Sequence, residues 1–230
     1  MVYRQNVRSE TVRAAARSRI LRSAKKLFAE RGYDETTMQD IVRDAKTSIG
    51  NAYFYFANKV ELLKSLLEEG VRDSVARADE VITTVEPGPA RVAVMVYSNI
   101  MNFLTTVRDL SRIAITGEPS VVRHIVGMQL ERLIALFEAN LPGRTEKEIL
   151  MSAIAVGGAN RLAIELSLSG RLDVDPSEIA SFLVRWHLRA FNLSEPEIDR
   201  VLLIATRSIR PVAATKSAAR RKTRRKKASA

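Results

Sequence analysis

The 230-residue chain has no cysteine, which excludes disulfides, thiolate metal sites and thiol nucleophiles. Its two histidines, His124 and His187, stand in separate helical segments with no neighbouring ligand at metal spacing. No metal site is expected. Strand signals are scarce, with no sustained alternation of period two and no Asn-Gly or Asp-Gly hairpin turn. Long apolar runs are missing too: no stretch approaches ~18 uncharged apolar residues, and arginines interrupt the N-terminus. Neither a spanning helix nor a signal peptide is expected, and the expected location is the cytoplasm. No GxSxG element, paired-acid motif or phosphate loop occurs, so neither an enzyme nor a cofactor is expected. The "GGAN" stretch, Gly157 to Asn160, has no strand before it and no Lys-Ser/Thr after it, which favours close helix packing at a dimer seam.

What is present is a core-forming apolar fraction of 46% and a net charge of +11 that is unevenly spread. Residues 1–60 carry 12 Lys and Arg against 6 Asp and Glu, and residues 216–230 carry 8 basic residues and no acidic one. The stretch between them is mildly acidic. Basic ends suit a polyanion, while the middle needs another role. The last 20 residues, 211–230, reduce to Ala, Ser, Thr, Lys, Arg and little else, and are expected to form a disordered basic tail. Such a tail either serves as a solvated extension or adds nonspecific phosphate contact.

Helix punctuation recurs along the chain. Ile20, Ala24, Leu27 and Phe28 follow the i, i+4, i+7, i+8 pattern of a helix face, and Gly32 stands at its stop. Thr36 with Gln39, Asn58 with Glu61, Asp175 with Glu178 and Ser194 with Glu197 each place a capping oxygen three residues before an acidic or amide partner. Further helices are expected at 61–83, 89–106, 109–116, 120–140, 146–168, 177–192 and 196–208. The fold class is therefore all-α: an N-terminal basic arm and helix-turn-helix domain over 1–57, and a helical domain over 58–210.

Four consecutive aromatics, Tyr53 to Phe56, stand out in a chain with only 6% aromatic residues. Two short helical segments, Thr37 to about Ala45 and Ser48 to about Tyr55, are joined by a short turn behind a basic helix, the layout of a helix-turn-helix. At about 100° per residue the aromatics cannot all face one core. Ile49, Ala52 and Phe56 are expected on the buried side with Tyr53 at its border, and Gly50, Asn51, Phe54 and Tyr55 on the outward face. Tyrosine offers a hydroxyl to phosphate, asparagine can pair with adenine, and an aromatic ring can lie against a thymine methyl group.

The stretch Ile20 to Leu63, through "LFAERGY", "TT", "DI", "YxYF" and "NK" in register, resembles the DNA-binding domain of the tetracycline-repressor (TetR) family. The resemblance is detailed over about 45 residues. It implies an all-helical homodimer with three N-terminal DNA-binding helices and a larger ligand-binding and dimerising domain. It further implies that Thr37, Ser48, Gly50, Asn51, Tyr53, Tyr55 and Lys59 serve DNA binding. This chain departs from the family where Lys46 replaces a usual glycine and Ile49 a usual lysine; Lys46 is expected to supply the missing charge, and Phe54 to read sequence.

In the acidic middle, Tyr97, Met101, His124, Met128 and Phe137 mix polar tips with adaptable side chains on helical faces. They are core residues or contacts to a largely apolar small-molecule effector. The segment "EILMSAIAVGGANRLAIEL" is apolar around most of its circumference, so pairing of helices 146–168 and 177–192 across a two-fold axis is expected. Together these features point to a ligand-responsive repressor that binds double-stranded DNA at a palindromic operator, near the nucleoid. The alternatives are a largely nonspecific architectural DNA-coating protein, a protein-interaction adaptor, or an enzyme whose catalytic groups are dispersed.

Overall fold

Helix α1 spans Val2–Arg31 and ends where Gly32, at φ +89°, takes the left-handed conformation that a side chain resists. In this computed structural model the backbone is described for residues 2–208 and the side chains for 13–207. The basic tail over 211–230 therefore lies outside the described residues, as do the side chains of the N-terminal arm. Helices α2 (Met38–Asp44) and α3 (Ile49–Tyr55) follow, and α4 runs from Lys59 to Ile82. Beyond them come α5 (Pro89–Met101), a π-helical turn over Asn102–Thr106, α6 (Arg108–Thr116), α7 (Pro119–Asn140), α8 (Glu146–Leu168), α9 (Pro176–Ala190) and α10 (Glu195–Ser208). Every regular element among the described residues is helical. The chain is all-α, as its punctuation predicts.

The caps are made by local chemistry, with one shift of register. Thr37, not Thr36, is the N-cap of α2: its Oγ1 accepts from the Asp40 amide at 3.1 Å, and Asp40 Oδ2 accepts from the Thr37 amide at 3.1 Å. Thr36 is fully buried and donates to the Gly32 carbonyl at 2.8 Å, closing the loop after α1 instead. Asn58 caps as expected, Asp175 takes the amide of Ser177, and at Ser194 it is Glu197 Oε2 that accepts from the Ser194 amide. Thr145 and Glu148 form a further capping box, which the sequence reading did not include.

Packing divides the chain into two compact units, described separately. One takes the residues up to Val75 together with Asp109–Glu131; the other takes Ala76–Arg108 and the chain from Arg132 onward. Compactness thus groups residues differently from a division by role at residue 57. The first unit is built on one apolar cluster, in which Ile20, Ala24 and Phe28 of α1 meet Ile41 of α2, Ala52 of α3 and Leu62 and Leu63 of α4. Arg17 pairs with Glu69 and lies 5.3 Å over the Phe56 ring, tying α1 to α4 and to the end of α3.

In the second unit α5 is the central element. Its residues Val92 to Tyr97 and Ile100 are buried, and it packs against α9 and α10. Phe137 is fully buried, with its ring edge-on to Phe191 at 5.4 Å. One described helix, α8, is long and apolar enough to cross a membrane by length and composition alone. This measure differs from a search for charge-free runs, because a helix need not be free of charge to be apolar on average.

Candidate nucleic-acid interface

The turn between α2 and α3 sets how α3 is presented. Ala45 is the last residue of α2 in helical conformation, and Lys46 follows at φ +51°. The Thr47 amide then donates to the Val42 carbonyl at 3.0 Å and the Lys46 amide to that of Arg43 at 3.3 Å, a Schellman closure. This explains why a family glycine is usual at the position of Lys46: the left-handed conformation costs a β-carbon on the order of 1 kcal/mol. Here the strain brings an exposed ammonium into the turn. Replacing Lys46 by glycine is expected to raise thermal stability by roughly 0.5–1 kcal/mol while lowering DNA affinity and reducing the salt slope by about one ion. Paired denaturation and salt-titrated binding curves test both halves.

Ser48 begins α3, its Oγ accepting from the Asn51 amide at 3.1 Å. Ala52 and the C-cap Phe56 are buried, as expected. Three placements differ from the expectation. Ile49 is 39% exposed rather than buried, Tyr53 stands outward rather than at the border of the buried side, and Tyr55 packs against the apolar cluster rather than pointing out. The outward residues are Ile49, Gly50, Tyr53 (51% exposed) and Phe54 (69% exposed), which share one arc of the helix at spacings i, i+1, i+4 and i+5. The arc is rotated because α1 and α2 pack on α3, whose covered side carries Ala52, Tyr55 and Phe56. A helical wheel fixes relative angles but not which arc the neighbours will cover.

Other expected DNA-binding residues divide by what already occupies them. Thr37 is exposed at the start of α2, with its hydroxyl paired to Asp40 Oδ2 at 2.6 Å, and that bond holds the Asp40 carboxyl below the usual carboxylate range. Asn51 is half-buried and spends Nδ2 on Thr47 Oγ1 at 2.8 Å. Lys59 is turned inward. Its ammonium donates to the carbonyls of Tyr33 and Thr36 at 2.9 and 3.0 Å and lies 4.1 Å from the Tyr33 ring centroid. With those donors turned inward, Lys59 stitches the loop before α2 and does not project toward a ligand.

The candidate effector residues do not gather in either unit. Tyr97, Met101 and Phe137 belong to the second, where Tyr97 is buried, bonds Ser181, and has its hydroxyl pKa pushed up by desolvation. His124 and Met128 belong to the first. There His124 Nε2 meets Glu68 Oε1 at 2.8 Å on the surface, and Met128 packs on the apolar cluster. Face periodicity finds apolar helices without showing which of them are neighbours.

The sequence reading missed a buried polar pair. His187 Nε2 lies 3.1 Å from Asn160 Oδ1, and Nδ1 has no hydrogen-bond partner. His187 helps line a groove of about 240 Å³, together with Met151, Val156, Trp186 and Phe191. Polar residues at core positions of two helices, 27 residues apart, were the available signal.

Comparison with known proteins points to the same family. Residues 20–66 match the family model described as bacterial regulatory proteins, tetR family. Over those residues the chain is similar to the TetR family. The chain is 27% identical over 178 residues to the transcriptional repressor KstR2 of Rhodococcus jostii, covering 76% of itself and 81% of that protein. It is 37% identical to the regulator TtgR of Pseudomonas putida over 73 residues, 31% of this chain. The chain spans about a third of TtgR, 35%, and 30% of an uncharacterised Bacillus subtilis regulator, YfiR. In fold it is similar to a TetR-family regulator from Syntrophomonas wolfei, at TM-score 0.69 and 18% identity, with 78% of this chain and 96% of that one covered. It is also similar to FadR of Bacillus subtilis, solved with stearoyl-CoA, at TM-score 0.63 and 16% identity, covering 74% and 96%.

Proposed function

We propose that this protein is a ligand-responsive transcriptional repressor that binds a palindromic operator as a homodimer and is released by a largely apolar small molecule. The observation that carries the reading is the uncovered arc of α3, presented by a strained basic turn on a domain whose first 60 residues are net basic. Similarity to the TetR family supports it. The relative KstR2 is named a repressor, and FadR was solved with an acyl-CoA.

Contacts fall to Lys46, Ser48, Gly50, Tyr53 and Phe54, with Thr37 and Asn51 at the margins; Tyr55 and Lys59 position the others. Two such helices spaced near one DNA turn, roughly 34–36 Å, require a palindromic site. The effector region is placed at Tyr97 and Met101, where α5 gives way to the π-helical turn, a feature that often marks function. Helix α4 has residues in both units and is the route by which binding there acts on the head. A coupling of about 1–3 kcal/mol suffices.

The test is selection of randomised duplex DNA on the full chain at about 0.15 M salt, with Asn51→Ala and Tyr53→Ala as controls. Enrichment of one palindrome that both substitutions weaken is the expected result, and that duplex then reports any effector that lowers affinity. A second reading, nonspecific DNA coating, is favoured by the 8 basic residues of 216–230. Removing those residues separates the two: a repressor keeps its sequence preference, whereas a coating protein loses most of its binding.

A further inference from the structure

The outward arc of α3 carries no charge at all. Its sequence, IGNAYFY, offers neither the arginine nor the lysine that reads guanine through paired donors. Its only amide, Asn51, has a donor turned inward to Thr47. What the arc does present is apolar: the branched side chain of Ile49, the ring of Tyr53 and the ring of Phe54. Phe54 is not free to fold back. Its ring stands edge-on to Tyr55, with centroids 5.0 Å apart and planes at 85°, and Tyr55 is itself packed on the apolar cluster. The apolar arc is thus held upright by the core beneath it.

In the major groove the one apolar feature on a base edge is the thymine methyl group. We propose that this arc reads thymine methyls, with Phe54 and Ile49 as the specificity-determining residues, so that the bases facing α3 are A·T pairs. This rests on the DNA-binding reading above. The occupant is argued from charge as well as shape: Lys46 is exposed in the turn just before α3, and the first 60 residues carry 12 basic against 6 acidic residues, which suits a polyanion rather than an apolar protein partner. Tyr53 adds ring surface beside Ile49 and keeps its hydroxyl for the backbone.

The experiment uses the full chain and the duplex that selection yields. Thymines of each half-site are replaced one at a time by deoxyuridine, which removes the methyl group and leaves every hydrogen-bonding atom in place. Replacement at two or more positions per half-site is expected to weaken binding about three- to five-fold each, the value of one buried methyl. Phe54→Ala should bind the thymine duplex more weakly and become indifferent to deoxyuridine at one of those positions, and Ile49→Ala at another. Both side chains are exposed, so unchanged thermal melting confirms that the variants fold. If a palindrome is bound specifically but no deoxyuridine matters, methyl reading is overturned and the repressor reading stands. If no duplex is enriched and a protein partner instead protects Phe54, both fall together.

Discussion

Lowering the pH from 7 to 4.5 is expected to cost the folded protein about 2 kcal/mol that a His187→Gln variant does not lose. His187 is only 2% exposed, and burial pushes its pKa down from 6.5 to about 4. The folded state therefore holds a neutral imidazole, whose Nε2–H donates to Asn160 Oδ1 while Nδ1 keeps a bare lone pair in apolar surroundings. The unfolded chain titrates near the ordinary value. Because the folded pKa is the lower one, the unfolded state takes up the proton first as the pH falls. The stability is fully present above about pH 6.5 and is lost between there and about pH 4. Glutamine keeps a donor for Asn160 but cannot titrate, and the many carboxylates titrate equally in both proteins. Urea unfolding of the pair at the two pH values isolates the histidine, and equal losses would mean that His187 is hydrated in solution.

Much of the fold was legible because helix boundaries are written in local chemistry. Asn58 and Asp175 mark starts through oxygens that take backbone amides, Glu197 marks another by accepting from the Ser194 amide, and the breaks at Gly88, Gly143 and Gly170 all fall at positive φ. The misplacement of the α2 cap by one residue has a physical cause. Thr36 and Thr37 offer the same hydroxyl, and only the tertiary fold decides that Thr36 is buried against the loop after α1. The candidate interface was legible in composition but not in rotation: the aromatic run announced surplus rings, yet whether Tyr53 or Tyr55 is outermost depends on where α1 and α2 lie. Lys59 shows the same limit, since a lysine at a family position looks alike whether its ammonium faces solvent or three loop carbonyls. The His187–Asn160 pair escaped notice because each residue alone reads as an odd polar member of an apolar face.

A single Phe182→Glu substitution is expected to weaken self-association on the order of 10³-fold and to reduce operator affinity with it. The warrant is the uncovered apolar face of α8 and α9. Met151, Ile154 and Leu162 stand at i, i+3 and i+11 on α8, at 58%, 48% and 57% exposure, and Phe182 and Trp186 stand at i and i+4 on α9, at 69% and 49%. Scattered exposed leucines are ordinary, but five large side chains on two adjacent helices are a surface that water disfavours. The opposite face of α8 is already used: Ile149, Ala153, Val156 and Ile164 are buried within their own unit. Between the exposed residues, Gly158 has open space where a side chain would stand, which allows a second helix to approach closely. A second copy of the same face fits this best, since two-fold pairing needs one surface complementary to itself and about 800 Å² per partner. Symmetry also sets the magnitude. Each dimer meets the substitution twice, so a burial penalty of about 2 kcal/mol per site doubles to about 4, which is the stated change in Kd. Phe182 is exposed in the single chain, so its replacement leaves the folding of that chain intact, and a monomer binds one half-site without the gain of the other. Sedimentation velocity in detergent-free buffer, beside operator titration, gives the answer. A wild-type chain that is monomeric there and floats with lipid vesicles would instead assign the face to a membrane, as the length and apolarity of α8 alone would permit.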